Sequence, residues 1–187
     1  MPVLARAVLR RRPGTGRFWH LLCVNTVGFH HISLHDLPHI TPFRRSGTMK
    51  IGTIGAGNIG GTLARLWTTA GHEVLISSRH PDQLADLAAQ IGDRCCYGTA
   101  EEAVTFGEVV LLSPPLGAIV ELAPKIADLV AGKVVLDTMN PFPDRDGEPA
   151  NEILRREIPS AQATQERLPH ARIVRAFSSV HYADLQS

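Results

Sequence analysis

Three glycines spaced Gly55-x-Gly57-x-x-Gly60 are the residues of this chain whose type and spacing most directly suggest chemistry. They follow a short apolar run and precede a stretch with helical periodicity. In that setting the first glycine permits a tight turn, the second lets the backbone approach a diphosphate, and the third lets the helix lie close to the sheet. The helix start, at Asn58 and Ile59, offers free N–H groups and a partial positive charge. The pattern predicts a dinucleotide site; the alternative is a glycine-rich turn without a ligand.

The end of the next predicted strand, at residues 73–77, bears on which dinucleotide binds. An NAD site places Asp or Glu here to accept hydrogen bonds from the ribose hydroxyls, and a carboxylate would repel the additional phosphate of NADP. The chain instead continues with Ser78, Arg79 and His80. Ser77 or Ser78 can donate a hydroxyl hydrogen bond to a phosphate, and the planar guanidinium of Arg79 can donate two parallel hydrogen bonds to it. We therefore predict NADP as the cofactor, the alternative being that Arg79 is only a solvated surface charge.

Strand and helix signals alternate from Met49 onward, and these elements must position the glycines and the arginine. The predicted strands cover residues 50–54, 73–77, 95–97, 108–113, 133–137 and 172–177, with helical stretches between them. Boundary signals support the assignment: Gly71 ends the first helix, Pro81 opens the second, and Thr99 with Glu102 forms a capping box. The alternation predicts a doubly wound parallel α/β sheet, the Rossmann fold, apparently truncated after its sixth strand because few residues follow.

Composition and charge exclude several classes of protein. The apolar fraction of 44% and the charged fraction of 20% are those of a globular protein. Residues 1–48 carry seven arginines and one acid, whereas residues 49–187 have a net charge of −5. The acidic main body lacks the basic face of a nucleic-acid binder, and no apolar run approaches the roughly eighteen residues of a membrane span. The three cysteines have neither a metal-site spacing nor an even number for disulfides, which favours a reducing, cytoplasmic setting.

Residues 1–48 show no sustained periodicity and are treated separately from the predicted domain at residues 49–187. We expect a disordered or wrongly assigned N-terminal extension, with Met49 as the true start; the alternative is an organelle transit peptide, because the segment is rich in Arg and poor in acids. His31, His35 and His39 have helical spacing, but Pro38 would break the helix that aligns them, so no metal site is predicted.

The stretch MKIGTIGAGNIGGTLARLWTTAGHEVLISSR resembles the opening of the coenzyme F420-dependent NADP oxidoreductase family, whose relatives include the N-terminal domain of pyrroline-5-carboxylate reductases. The resemblance covers essentially residues 49–187. Its further motifs are Ser113-Pro114-Pro115, Asp137-Thr138-Met139-Asn140-Pro141 and Arg175-Ala176-Phe177. The cofactor residues that it implies are Ser78 and Arg79 for the 2′-phosphate, Ser113, Pro114 and Pro115 for the nicotinamide and its ribose, and Asn140 and Pro141 for the floor of the site. The family usually has Asn where this chain has Ser178.

The resemblance also implies a reaction, in which hydride passes between carbon 4 of the nicotinamide and a ring carbon of a deazaflavin. The cofactors carry that chemistry, so no catalytic residue is implied. The acceptor would be a deazaflavin, a flavin or another small molecule. An imine or carbonyl acceptor would give His181 and Tyr182 a role in protonation. Two alternatives stay open, the cofactor domain of an imine or carbonyl reductase and a non-catalytic NADP-binding fragment, and a homodimer is expected only where further C-terminal helices exist.

Overall fold

The computed structural model describes residues 6–10, 20–24 and 47–185. The chain forms two units, Met1–Ser46 and Gly47–Ser187. In the first unit, β1 (Arg6–Arg10) pairs with β2 (His20–Val24) in an antiparallel arrangement. The three histidines considered as metal ligands lie outside the described residues. The prediction that residues 1–48 are a disordered or wrongly assigned extension is not tested and stays a prediction.

The second unit is built on a six-stranded, entirely parallel sheet. Its strands are β3 (Lys50–Ile54), β4 (Glu73–Ser77), β5 (Cys95–Gly98), β6 (Val109–Leu112), β7 (Val134–Asp137) and β8 (Arg172–Arg175). They are arranged in the order β5-β4-β3-β6-β7-β8, so the first strand of the unit lies at the centre. This is the doubly wound Rossmann fold that the sequence predicts. From β3 the next two strands are added on one side and the last three on the other, so the strand order reverses between β3 and β6. Open α/β sheets bind ligands at the carboxyl edge beside such a reversal.

Helices connect the strands on both faces of the sheet. They are α1 (Asn58–Thr69), α2 (Ala85–Ile91), α3 (Ala100–Phe106), α4 (Ile119–Ile126), α5 (Pro143–Asp146), α6 (Glu148–Arg155) and α7 (Ser160–Arg167), with 3-10 turns at Pro81–Leu84, Leu116–Ala118 and Tyr182–Leu185. The longest, α1, has 12 residues. Within residues 47–185 and the two N-terminal strands, no helix is both long and apolar enough to cross a bilayer.

The predicted helix boundaries are present in the structure. Gly71 has φ +95°, directly after the last helical turn of α1, which is the left-handed conformation that glycine adopts without strain. The capping box of α3 is complete, because Glu102 N–H donates to Thr99 Oγ1 over 3.1 Å and Thr99 N–H donates to Glu102 Oε2 over 2.8 Å. These local interactions fix where α1 ends and where α3 begins; the second lies in the loop after β5, at the carboxyl edge of the sheet.

Buried aliphatic side chains cover both faces of the sheet. On one face, strand residues pack against α1 and α2 in a cluster of Ile51, Ala64, Val74, Ile76, Leu84 and Ala88. On the other face, a larger cluster runs from Ile54 to Ala171 and includes Val104, Leu112, Ile126 and Leu168. The inner strands are buried on both sides, as parallel strands between helical layers must be. This rigid sheet carries the loops that form the site.

Two elements differ most clearly from what their sequences suggest. The helical stretch between β6 and β7 is a 3-10 turn followed by α4, which ends at Ile126. Pro124 lies inside α4 and has no N–H, so one backbone hydrogen bond is missing near its end. The last strand was expected to reach Phe177 but ends at Arg175, and Phe177 has φ +56°, which is incompatible with an extended strand. The chain therefore turns earlier at this edge than its apolar pattern predicts.

Candidate functional site

The turn between β3 and α1 leaves no room for side chains at two of its three glycines. Gly55 has φ +91°, and its N–H donates to Ser77 O over 2.9 Å. A Cβ at Gly55 would lie 2.7 Å from Ser113 O, and a Cβ at Gly60 would lie 1.9 Å from Gly55 O. The protein's own backbone therefore demands glycine at both positions, one for the turn and one for the close approach of α1.

Gly57 differs from the other two, because nothing in the protein requires it to be glycine. Its φ of −75° is open to any residue, and a Cβ there would meet no atom within 4 Å. It is the N-cap of α1, where no side chain caps the helix and no acid lies in the first turn. Asn58 is exposed and Ile59 half-buried at this end. A bare helix start beside open space fits the diphosphate of a dinucleotide.

The end of β4 presents a hydroxyl and a guanidinium beside this turn. Ser77 is buried and donates through Oγ to Thr53 O over 3.1 Å, so it is committed to the sheet. Ser78 Oγ accepts from His80 N–H over 3.1 Å, which leaves its own hydrogen free to donate. Arg79 is exposed and forms neither a hydrogen bond nor an ion pair with any residue of the described ranges. The structure thus selects Ser78, not Ser77, as the hydroxyl available beside Arg79.

The loop after β6 meets the glycine turn directly. Ser113 N–H donates to Ile54 O over 2.8 Å. Ser113 and Pro114 are half-buried, and Pro115 is exposed at the start of the following 3-10 turn. Because β3 and β6 are neighbours in the sheet, the predicted nicotinamide loop and the predicted diphosphate turn lie side by side.

The loop after β7 is anchored by the buried carboxylate of Asp137. Asp137 Oδ1 accepts from Met139 N–H over 2.8 Å, and Oδ2 accepts from Thr164 Oγ1 over 2.9 Å. Burial raises the pKa of Asp137 above its ordinary value, although these hydrogen bonds and the charge of Arg175 act in the opposite direction. These hydrogen bonds fix the backbone of the loop, which is the role that the structure gives Asp137.

The pKa shift of Asp137 gives a pH-dependent test. A carboxyl group whose pKa is higher in the folded than in the unfolded protein stabilises the fold at low pH. This contribution is complete below the pKa of the unfolded state and is lost as pH rises through the pKa of the folded state. The side chain of the Asp137→Asn variant cannot ionise. The Tm of the variant minus that of the original chain should therefore increase as pH rises from about 4 to about 7. Thermal unfolding followed by circular dichroism checks this, and a Tm difference that stays constant with pH contradicts it.

Asp146 provides the control of opposite sign. Burial alone would raise the pKa of Asp146, but hydrogen bonds from Arg145 and from the N–H groups of Phe142 and Gly117 outweigh it and hold the pKa below its ordinary value. A carboxyl group whose pKa is lower in the folded than in the unfolded protein stabilises the fold above the pKa of the unfolded state. That contribution is lost as pH falls. Asp146→Asn should therefore lose most stability near neutral pH. Sequence reasoning missed Asp146; its contacts with Arg145 and Phe142 are local, but its contact with Gly117 spans 29 residues.

Asn140 uses both ends of its side-chain amide within the protein. Its Oδ1 accepts from Arg175 Nη2 over 2.5 Å, and its Nδ2 donates to Ser178 O over 2.8 Å. Its main-chain carbonyl accepts from Arg145 Nη2 over 3.1 Å, and Pro141, which follows, is half-buried. Asn140 therefore connects the loop after β7 with the end of β8 and the segment that follows it. Arg175 was singled out from sequence only as part of a motif, without a role.

A cavity of about 170 Å³ lies away from these glycines and from Arg79. Its apolar floor includes Leu116, Ile119 and Ile153, and Arg156 and Glu166 lie at its rim, with Nη2 and Oε1 2.8 Å apart. None of the twelve residues predicted to bind cofactor lines it. The crevice at the carboxyl edge is a different part of the surface.

Residues 50–141 match the family model described as NADP oxidoreductase, coenzyme F420-dependent. This segment belongs to that family. The match runs from β3 to the loop after β7 and contains every residue predicted from the sequence to bind the cofactor. The family assignment expected from the resemblance is therefore confirmed. It places the segment in a family of NADP-dependent oxidoreductases.

Three relatives show how much of a longer protein the chain resembles. A candidate F420-dependent NADP reductase from Arthrobacter sp. FB24 is 25% identical, with a TM-score of 0.62 over 72% of this chain and 64% of its own. A hypothetical protein from Sinorhizobium meliloti is 26% identical, with a TM-score of 0.63 over 78% of this chain and 68% of its own. The metalloreductase STEAP3 of Rattus norvegicus is 26% identical over 155 residues, 83% of this chain but 28% of the rat protein. The chain thus spans less than two thirds of the Arthrobacter protein and about a quarter of the rat one.

Proposed function

We propose that the chain binds NADP(H) at the carboxyl edge of β3, β4, β6 and β7 and serves hydride transfer to or from a deazaflavin or flavin-like acceptor. The observation that carries the proposal is the guanidinium of Arg79, which has no partner among the described residues and follows β4, the strand beside the one that leads to the bare helix start at Gly57. An NAD site would place a carboxylate there. The family of the Rossmann segment supports the same cofactor.

Each half of the crevice has a separate task. N–H groups of Asn58 and Ile59 bind the diphosphate, while Ser78 and Arg79 bind the 2′-phosphate. The residues that border the nicotinamide half are Ser113, Pro114, Pro115, Asn140 and Pro141. When bound, NADPH supplies the hydride, and the protein's contribution is to hold the two reacting rings at the right distance and angle. No general acid or base is assigned.

A deazaflavin is the first acceptor to test, because the names of the family and of the Arthrobacter protein both refer to coenzyme F420. An imine or carbonyl acceptor is the second candidate. It is favoured by His181 and Tyr182, whose ring centroids lie 4.6 Å apart on the segment after β8. Both side chains are exposed there and carry titratable protons that reduction of an imine would need. The cytoplasmic setting, the small-molecule partner and the homodimer stay proposals.

The test is a binding titration followed by an acceptor panel. The purified chain is titrated with NADPH and NADH, and NADPH oxidation is then followed with a deazaflavin, flavins, ferric chelates and cyclic imines. We expect NADPH to bind at least about tenfold more tightly than NADH, a difference of roughly 1.4 kcal/mol. Equal affinities would refute the role of Arg79. Tight NADPH binding without oxidation by any acceptor would identify a binding module instead of an enzyme.

A further inference from the structure

The chain after β8 crosses the carboxyl edge of the sheet. It leaves β8 at Arg175, and its next regular element, the 3-10 turn Tyr182–Leu185, packs against α1. In the sheet order, β6 and β7 separate β8 from β3, the strand that α1 follows. That separation is three strand spacings, about 14 Å, which six extended residues can span. We call residues 178–185 the C-terminal strap.

The near end of the strap is held by a chain of hydrogen bonds that starts at Arg175. Its Nη2 donates to Asn140 Oδ1, and Asn140 Nδ2 donates to Ser178 O, the first residue of the strap. Its Nη1 donates to Met139 O over 2.9 Å and to Ser160 Oγ. One guanidinium therefore connects the loop after β7, the start of α7 and the strap.

The guanidinium itself is fixed in place by its surroundings. The buried carboxylate of Asp137 attracts it, as the effect of Arg175 on the pKa of Asp137 indicates. Ser160 Oγ also donates to Met139 O over 3.3 Å, so the two acceptors of Arg175 Nη1 are connected to each other. A lysine would carry the charge but not the planar fork needed to reach Met139 O and Asn140 Oδ1 together.

We propose that Arg175 is a positioning residue for the nicotinamide half of the site: acting through Asn140, it holds the C-terminal strap where the strap borders the crevice. This rests on the proposed function, since it assumes that NADP(H) occupies the crevice. Arg175 does not need to touch the cofactor. The adenosine half, with Arg79 and the glycine turn, lies at β3 and β4 and does not depend on this connection.

The test separates the two halves of the cofactor. Arg175→Met and Asn140→Asp are compared with the original chain and with Arg172→Met, an exposed arginine at the other end of β8. Affinity for 2′,5′-ADP, which lacks the nicotinamide, should stay within about twofold in all variants. The rise in NADPH fluorescence on binding should fall in both test variants, and hydride transfer should slow by about 10- to 100-fold, as small misplacements of reacting groups do.

A double variant shows whether Arg175 acts through Asn140. Asn140→Asp keeps an acceptor for Arg175 but removes the donor to Ser178 O, so it breaks only the second connection. If the residues act in series, the double variant behaves like Arg175→Met alone, because coupled residues are not additive. Additive losses, or unchanged fluorescence and transfer in Arg175→Met, would overturn the proposal. Should Arg175→Met fail to fold in thermal melts, Arg175→Lys, which keeps the charge but not the planar fork, decides through the same measurements.

The outcomes for the two proposals are distinguishable. An original chain that does not bind NADPH refutes the proposed function and this inference together. If it binds NADPH but transfers no hydride, the nicotinamide fluorescence and the 2′,5′-ADP affinity still measure the effect of Arg175. If the original chain binds NADPH and transfers hydride, and the variants do so equally well, only the positioning role is refuted.

Discussion

Replacing Gly57 with alanine should reduce NADPH affinity by about 100-fold or more while leaving the fold intact. A methyl group at this position meets no protein atom within 4 Å, and the backbone φ of −75° suits alanine. The space it would fill is the space a diphosphate needs to reach the helix N–H groups. Hydrogen bonds to charged groups contribute about 1.5–3 kcal/mol each, so losing one or two accounts for that factor. Calorimetric titration with NADPH, together with a thermal melt, measures both effects.

Two glycines provide the controls. Gly47→Ala also places a methyl group in open space, but outside the crevice, and should leave both stability and NADPH affinity unchanged. Gly60→Ala would bring its Cβ to 1.9 Å from Gly55 O, so it should destabilise the protein as well as weaken binding. NADPH binding by Gly57→Ala at the affinity of the original chain would mean that no diphosphate lies against this turn.

Arg79→Glu is the second substitution with a large expected effect, a loss of NADPH affinity of about 100- to 1000-fold. Arg79 has no partner in the described part of the chain, so its removal should not affect folding. The change removes a charge-assisted hydrogen bond of about 1.5–3 kcal/mol and places a carboxylate against the phosphate. NADH has no 2′-phosphate, so its affinity should change by no more than a few fold or improve slightly. Parallel titrations with the two cofactors give the ratio.

Arg94→Glu controls for the change in net charge. Arg94 immediately precedes β5 and is exposed at the amino edge of the sheet, opposite the crevice. It should weaken NADPH binding only slightly, because solvent and salt screen a charge at that distance. If both variants lose the same NADPH affinity, the effect of Arg79→Glu comes from the net charge of the protein and not from a direct contact. If Arg79→Glu binds NADPH as tightly as the original chain, Arg79 is not part of the site.

The sequence predicted the fold well because its signals are local. All six parallel strands were identified, and the capping box at Thr99 and the glycine at Gly71 marked helix boundaries by interactions within a few residues. The glycine turn could be interpreted for the same reason, since the positive φ of Gly55 and the contact of Gly60 with Gly55 O arise within the turn itself. The end of the last strand was misplaced, because Val174 and Phe177 suggest an extended run that the left-handed backbone of Phe177 interrupts.

The connections between loops could not be predicted, because they join distant parts of the chain. Arg175 contacts Asn140 across 35 residues, and Asp146 contacts Gly117 across 29. No periodicity or capping rule relates such pairs, and their geometry exists only once the sheet has set the loops side by side. The choice between Ser77 and Ser78 also needed the structure, which shows Ser77 turned into the sheet.

The separation of the two hydrophobic clusters has a consequence for biosynthesis. The buried residues of the cluster between α1, α2 and the sheet lie between Ile51 and Ala88, and the half-buried residues packed on it lie between Met49 and Cys95, so this cluster is fully synthesised once β5 has emerged from the ribosome. The opposite cluster needs residues as late as Ala171 and must wait for nearly the whole chain. The glycine turn and Arg79 therefore belong to the portion synthesised first. The residues of the proposed adenosine half are therefore synthesised before those of the proposed nicotinamide half.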